Sequence, residues 1–230
     1  MAEKTIPVYI DVKSPYAYLA VEPARSLERD FRVRLDWLPY TLDIPDFLGS
    51  ARVDEHGRVI EEVRSAHQWR RVRYAYMDVR RYANLRGLTV RGPRKIWDSS
   101  LAAIGLLYAK EHGVVRTYTE IVFERFWQRA LDIENPEVIE AILAEAGAET
   151  AGFVTFARGE GRTRHDRIRA AAEAAGVFGV PTFVLDGEIF FGREHLALIR
   201  LRLAEQGLAR PDADPVSDVS YAWRPGGPGV

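Results

Sequence analysis

The sequence predicts an α/β protein whose α/β domain is interrupted by a long helical block. Three observations lead to this prediction. A strand, helix, strand pattern begins the chain, helical patterns fill residues 45–163, and a helix, two strands and a last helix follow them. With 230 residues, of which 47% are hydrophobic and 28% charged, the chain has the size and composition of one large globular domain carrying an insertion.

The first strand and helix meet at a serine-proline pair. Residues 6–12, IPVYIDV, predict a strand, and a helical pattern begins after Ser14. Ser14 suits the N-cap position, and Pro15 suits the first helical position because proline lacks the N–H that would be unsatisfied there. A second strand, predicted over 33–38, follows the helix, so we expect these two strands to be parallel.

The middle of the chain shows helical patterns and no strand signal. Helices are predicted over 63–86, 99–111, 117–129 and 136–146. The α/β pattern resumes with a helix over 165–175 and a strand from Thr182 to Leu185. Asp186-Gly187 is a two-residue hairpin signal, the returning strand covers 188–191, and an amphipathic helix follows Gly192 to about Glu205.

These patterns divide the chain into three parts. Residues 1–44 and 164–206 form a discontinuous α/β domain, residues 45–163 form an all-helical insertion domain, and residues 207–230 form a tail rich in proline and glycine. We expect the tail to be poorly ordered, with Tyr221 and Trp223 as its candidate anchors.

The composition excludes several kinds of site. The chain has no cysteine, which excludes disulfides, iron–sulfur clusters and a cysteine nucleophile, so that thiol chemistry would need a thiol from outside. The five histidines lack metal-ligand spacing, and we expect no metal. A net charge of -1 gives no reason to expect nucleic acid or membrane as a partner. Without a signal-peptide pattern or a membrane-spanning apolar stretch, we expect a cytoplasmic protein.

The order of the elements and two motifs indicate a family. A proline directly before the third strand of a β, α, β, helical block, α, β, β, α order is typical of a thioredoxin-like fold with a helical insertion. Residues 14–20, SPYAYLA, and 176–183, GVFGVPTF, resemble segments of the 2-hydroxychromene-2-carboxylate isomerases, which with the kappa-class glutathione transferases belong to the DsbA-like branch of that fold. The resemblance covers roughly residues 6–203. It implies a glutathione-dependent isomerase, a small aromatic substrate and a homodimer.

Ser14 is the candidate catalytic residue. A helix N-terminus presents unpaired N–H groups and a partial positive charge, which favour an anion such as a thiolate. The resemblance implies that the Ser14 hydroxyl donates to the thiolate of glutathione or of another low-molecular-weight thiol. The alternative is that Ser14 only caps its helix, which is a common role for serine.

Val180 and Pro181 are the candidate backbone contacts of the thiol. The resemblance implies a cis Val180–Pro181 bond that leaves the Val180 N–H and C=O free to pair with the peptide backbone of glutathione. The alternative is a trans proline that opens an edge strand. We predict the cis form, beside the N-terminus of the Ser14 helix.

Two charged residues complete the predicted thiol site. Glu194, where relatives carry an aspartate in the first turn of the last helix, is assigned to the γ-glutamyl ammonium, although a carboxylate there also complements the helix dipole. Eleven basic and three acidic residues lie between Arg58 and Lys95. Such runs are usually solvated helix faces, but Arg71, close to a lysine of the relatives, is a candidate for holding an anion.

Three aromatic residues are the candidate substrate wall. Tyr16 belongs to the first motif, whereas Tyr74 and Trp97 are interleaved with the basic run. Most aromatic residues pack in cores, yet a flat bicyclic substrate needs such a wall. We expect the helical block to cover the site, with Trp97 or Tyr74 lining it.

The sequence departs from the family at two asparagines. The corresponding regions read Asp43-Ile44-Pro45-Asp46 and Ile96-Trp97-Asp98-Ser99-Ser100. Two alternatives therefore remain open beside the isomerase. One is a kappa-type glutathione transferase or related thiol-dependent enzyme, and the other is a non-catalytic binding protein with the same fold.

Overall fold

The computed structural model describes residues 3–214, and its centre is a four-stranded mixed sheet. The strands have the order β2-β1-β5-β6 and are β1 Lys4–Ile10, β2 Val33–Pro39, β5 Thr182–Leu185 and β6 Glu188–Phe191. β1 and β2 are parallel, whereas β5 is antiparallel to both β1 and β6. The α/β class and the thioredoxin-like topology are therefore confirmed.

Helices at both ends of the chain pack beside this sheet. α1 Pro15–Asp30 connects β1 to β2, and α9 Leu196–Glu205 follows β6 after a short 3-10 turn. α1 contacts both β2 and α9, while α8 Glu160–Ala174 contacts β2. The crossover through α1 explains why β1 and β2 are parallel.

The insertion is mostly helical but also contains a β-hairpin. Its elements are α2 Ile44–Leu48, β3 Ser50–Val53, β4 Val59–Val63, α3 Ala66–Leu85, α4 Ser100–Glu111, α5 Val115–Trp127, α6 Pro136–Ala146 and α7 Phe153–Arg158. The prediction of an entirely helical insertion was wrong, because β3 and β4 form a separate antiparallel sheet. β4 reads VIEEV, which does not alternate apolar with polar residues, and all of it is exposed, so it lacks the sequence pattern of a half-buried strand.

The end of the insertion also differs from the sequence prediction. α8 begins at Glu160 rather than near His165, and only Gly159 separates it from α7. The predicted boundary between residues 163 and 164 therefore falls inside a helix. One core cluster joins the strands to the inserted helices, with Val8 of β1, Ile104 of α4 and Trp127 of α5 all fully buried. The division into domains stays a prediction.

The first residues after α9 are held against the start of β2. Arg32 donates its backbone N–H to Leu208 O, and Arg210 donates its own to Asp30 O. Residues 207–214 thus belong to the ordered fold, contrary to the expectation for the tail. Tyr221 and Trp223 lie outside the described residues. Among residues 3–214, no helix is long and apolar enough to cross a membrane.

Candidate functional site

Ser14 begins α1 at the carboxyl end of β1. It adopts an extended conformation, and its Oγ accepts a hydrogen bond from the Ala17 N–H at 3.1 Å. Pro15 is the first helical residue, as the sequence predicted. The Ser14 side chain is buried, with 5% of the residue exposed. The N-cap role of Ser14 is therefore confirmed, and its oxygen lies where the helix N–H groups converge.

The same hydroxyl joins the two sequence motifs. Ser14 Oγ donates to Val180 O at 3.2 Å, and the Val180–Pro181 bond is cis. Both the cis bond and its position beside α1 were predicted correctly. No hydrogen bond formed within residues 3–214 uses the Val180 N–H. The hydroxyl proton of Ser14 is engaged by Val180 O, so donation to a bound thiolate requires the hydroxyl to rotate.

Gly192 connects Pro181 to the acidic residue at the edge of the site. Its N–H donates to Pro181 O at 2.9 Å, and it adopts φ 109 and ψ 150, a conformation almost restricted to glycine. The exposed Glu194 folds its carboxylate back over Gly192. Glu194 lies in the 3-10 turn Arg193–His195 and not in the first turn of α9, which begins at Leu196. None of the ion pairs within residues 3–214 involves Glu194.

Tyr16 and Tyr74 lie close together where α1 meets α3. The Tyr16 hydroxyl donates to Asp78 Oδ2 at 3.4 Å, and burial, then the charge and hydrogen bond of Asp78, raise the pKa of Tyr16 to about 12. Tyr74 adds to this increase in pKa, so its hydroxyl lies within electrostatic reach of Tyr16. Tyr74 is 57% exposed. These side chains border the first turn of α1, but their role as a substrate wall stays a prediction.

Arg71 lies on the same side of α3 as Tyr74. The two are three residues apart, a spacing at which helical side chains are neighbours. Arg71 is exposed, and none of the hydrogen bonds or ion pairs in the described part of the chain uses it. Its guanidinium is thus available to an anion at the surface of α3, and none of the contacts found within residues 3–214 joins Arg71 to Ser14 or Tyr16.

Arg193 is a site residue that the sequence analysis missed. Only 5% of it is exposed, and its guanidinium carbon lies 4.4 Å from the centroid of the Tyr82 ring. Its positive charge acts on Tyr16 by lowering the pKa of the phenol, against the stronger effect of burial. The residues next to Arg193 in sequence do not mark it as buried, because its partner Tyr82 lies on α3.

A buried ionic pair supports the loop that carries Ser14. The Asp11 carboxylate accepts from the Lys13 N–H at 3.0 Å and from the Leu42 N–H at 2.8 Å. Lys13 Nζ donates to Leu42 O at 2.7 Å and lies 3.8 Å from Asp11. These bonds attach the loop to the segment after β2 and fix the direction in which α1 starts. The sequence analysis did not single out either residue.

Asp43 and Asp98 lie in the two regions where the asparagines of the relatives are missing from this chain. Asp43 caps α2 by accepting from the Asp46 N–H at 3.3 Å, and Asp98 accepts from the Ser100 N–H at 2.8 Å. Burial opposes ionisation of Asp98, but hydrogen bonds from Ser100 and the charges of Lys13 and Arg162 hold its pKa below the ordinary value. The influence of Lys13 places the Asp98 segment near the Ser14 loop.

Trp97 lines a cavity that does not include Ser14. Its ring packs edge-on against Phe126 at 6.3 Å between centroids, and both line a space of about 170 Å³. None of the residues lining that space is Ser14, Val180 or Pro181. The structure thus brings Ser14, Val180, Pro181, Glu194 and Tyr16 together with Tyr74 beside them, but it shows no contact between Trp97 and this group.

A fold with this sheet order and a helix N-terminus beside a cis-proline defines a class of proteins. Residues 5–204 match the family model of the DsbA-like thioredoxin domain, and the chain belongs to this family. Among curated proteins, it is 25% identical to a 2-hydroxychromene-2-carboxylate isomerase of Pseudomonas putida over 212 residues, which cover 91% of this chain and 98% of the relative. A protein of the same name from Sphingobium xenophagum is 23% identical over 88% of this chain and 99% of its own.

Solved structures support the same fold. A 2-hydroxychromene-2-carboxylate isomerase superposes with a TM-score of 0.68 and 22% identity, covering 88% of this chain and 96% of that chain. A cytosolic disulfide reductase, DsbM of Pseudomonas aeruginosa with GSH, superposes with a TM-score of 0.56 and 15% identity, covering 81% of this chain and 88% of its own. At these sequence identities, the similarity to the two solved structures shows a shared fold and no more.

Proposed function

We propose that the protein is a glutathione-dependent isomerase of 2-hydroxychromene-2-carboxylate or of a similar unsaturated aromatic carboxylate. The observation that carries this proposal is the Ser14 hydroxyl at the N-terminus of α1, directed at the carbonyl before a cis-proline. The chain has no cysteine, so a thiol at this position comes from a bound molecule. The names of the curated relatives supply the substrate class.

The residues of the site fit a peptide thiol. The Val180 N–H, which forms no hydrogen bond within residues 3–214, suits an extended peptide backbone, and the Val180 C=O becomes available to it when the Ser14 hydroxyl turns away. The exposed Glu194 carboxylate suits an ammonium group, the exposed Arg71 guanidinium suits a carboxylate, and the Tyr16 phenol lies in the first turn of α1 beside Ser14. Glutathione carries an ammonium, two carboxylates and a peptide backbone, which match these groups.

The chain would act on the thiol by electrostatics. When bound, glutathione would supply a thiolate for reversible addition to a double bond conjugated with a carbonyl: the carbonyl oxygen would take up the electron pair, the resulting single bond would permit rotation, and loss of the same thiolate would restore the double bond without net redox change. The α1 N-terminus favours the thiolate over the thiol, because its N–H groups carry partial positive charge. The Ser14 hydroxyl turns from Val180 O to the sulfur and contributes a charge-assisted hydrogen bond. The Asp11–Lys13 pair keeps the Ser14 loop in place while the Ser14 hydroxyl rotates.

A kappa-type glutathione transferase is the second candidate. The observation in its favour is that the two regions where relatives carry an asparagine contain Asp43 and Asp98 here, whose carboxylates accept from the backbone N–H groups of Asp46 and Ser100. The thiolate held at Ser14 would then attack a different electrophile. A non-catalytic binding protein is the third possibility, which the tests below address.

Calorimetry with reduced glutathione tests the thiol site. We expect saturable heat at millimolar concentration and a several-fold weaker Kd for Glu194→Gln, because the ammonium would lose its carboxylate. Glu205→Gln is the matched control, since Glu205 is exposed at the far end of α9. No saturable heat with the unmodified protein would remove the basis of both enzyme candidates.

Turnover separates the candidates. With glutathione present, isomerisation of 2-hydroxychromene-2-carboxylate supports the isomerase. Consumption of a halogenated aromatic electrophile without isomerisation supports the transferase. Binding of glutathione without either reaction would leave the binding protein.

A further inference from the structure

The cavity that contains Trp97 combines apolar walls with unpaired cations. It measures about 170 Å³, and its lining is Pro93, Arg94, Trp97, Phe126, Arg129 and Leu131. Trp97 is half-buried, whereas Phe126 and Leu131 are buried behind it. An apolar cavity of about 150 Å³ is large enough to bind benzene. The space therefore accommodates one six-membered ring with a small substituent.

Two arginines, Arg94 and Arg129, line this cavity, and neither belongs to an ion pair formed within residues 3–214. The same holds for Arg91 and Arg80, whose charges act on Arg129. Glu134, three residues after Leu131 in sequence, is paired with Lys95. Desolvation, followed by the charges of Arg94, Arg91 and Arg80, holds the pKa of Arg129 below its ordinary value. A group of guanidinium ions that repel one another favours an anion between them.

Arg129 is held in place by an unusual backbone conformation. It has φ 62, in the left-handed region, directly after α5, where glycine is the usual residue. Its Nε donates to Gly92 O at 2.7 Å, which fixes the guanidinium at the rim and leaves its terminal N–H groups for a ligand. A non-glycine residue in this conformation is costly and often marks a functional position.

We propose that this cavity binds the anion of a monocyclic aromatic carboxylic acid, with the ring against Trp97 and Phe126 and the carboxylate between Arg94 and Arg129. The planar guanidinium fork matches a carboxylate, and the aromatic walls match the ring. No residue of the cavity belongs to the Ser14 site, so this binding is independent of the thiol and of the proposed function.

Calorimetry with benzoate on the full chain, without any thiol, tests the proposal. We expect saturable binding, with a weaker Kd for cyclohexanecarboxylate and none for benzyl alcohol, because the site requires both the ring and the charge. Inorganic phosphate that binds as tightly as benzoate would show a general anion site and overturn the aromatic part of the proposal. The absence of benzoate binding would overturn it altogether.

Substitutions locate the binding. Arg94→Gln should weaken benzoate about tenfold, the loss expected for one charge-assisted hydrogen bond at a partly exposed site. Arg129→Gly should do the same without loss of thermal stability, since glycine accepts the left-handed conformation. Arg158→Gln is the matched control, because Arg158 is exposed at the end of α7. Benzoate binding that survives both cavity substitutions but is lost in Ser14→Ala would place benzoate at the thiol site and contradict the proposal.

Discussion

Replacing Gly192 with alanine should damage the thiol site more than the fold. Gly192 has φ 109 and ψ 150, and a Cβ there would lie 2.5 Å from Glu194 Cδ. The carboxylate must move away from Gly192, since a flexible side chain yields before the backbone does. We expect the backbone strain to lower the free energy of unfolding by about 1 to 3 kcal/mol. We also expect glutathione to bind roughly tenfold more weakly.

Gly187→Ala provides the control for strain alone. Gly187 also has a positive φ, 81, but a Cβ there would meet nothing within 4 Å. We expect a comparable loss of stability in urea unfolding and an unchanged Kd for glutathione in calorimetry. If Gly192→Ala loses stability while its Kd equals that of Gly187→Ala, then the Glu194 carboxylate does not bind the ammonium and its assignment is refuted.

Two further predictions concern the scaffold. Arg200 is 1% exposed and donates to Asp30 at 2.7 Å, so Arg200→Met should lower the free energy of unfolding in urea by about 1 to 3 kcal/mol, because the partly buried Asp30 carboxylate loses this partner and keeps Arg29. Burial opposes ionisation of Asp30, but hydrogen bonds from Arg29 and Arg200 lower its pKa. The ionised carboxylate therefore stabilises the native protein above about pH 4, and this stabilisation is lost as the pH falls below that value. The loss of stability at acid pH should be smaller in Arg200→Met. If the free energy of unfolding falls equally steeply with pH in both proteins, the role of the Arg200–Asp30 pair is contradicted. Gly105→Ala should cost about 1 to 3 kcal/mol, because its Cβ would clash with the Tyr118 hydroxyl and lie 2.9 Å from Ile139 Cγ2; a thermal midpoint equal to that of the unmodified protein would contradict the packing.

The parts of the fold that the sequence predicted have local chemical signals. Ser14-Pro15 marks the start of α1 because serine and proline each satisfy a specific need of a helix N-terminus. Asp186-Gly187 marks the β5–β6 turn, where both residues have positive φ. Asn135 caps α6 by accepting from the Glu137 N–H at 2.9 Å. At such positions one or two residues are enough to determine the backbone.

The parts that were missed depend on contacts distant in sequence. β4 is exposed along its whole length, so its residues carry no burial pattern, and its pairing with β3 is a tertiary feature. Arg193 is buried against Tyr82, more than a hundred residues away, and nothing near it in sequence signals that contact. Trp97 was assigned to the thiol site because it is aromatic, whereas its position follows from packing on Phe126.

The thiol pKa of bound glutathione in Ser14→Ala tests the central claim most directly. The substitution removes the acceptor of the Ala17 N–H and the donor to Val180 O, so about 2 kcal/mol of stability should be lost whether or not Ser14 is catalytic. Ser26→Ala is the control, since Ser26 is a buried serine on the same helix that donates to Pro23 O and is not part of the thiol site.

Ultraviolet titration of thiolate absorbance in the glutathione complex measures that pKa. If the Ser14 hydroxyl donates to the thiolate, Ser14→Ala should raise the thiol pKa by about one to two units and slow turnover, while glutathione affinity at low pH changes little. Ser26→Ala should leave both the pKa and the rate unchanged. A Ser14→Ala complex whose thiol pKa and rate equal those of the unmodified protein would show that Ser14 only caps α1 and would contradict the catalytic assignment.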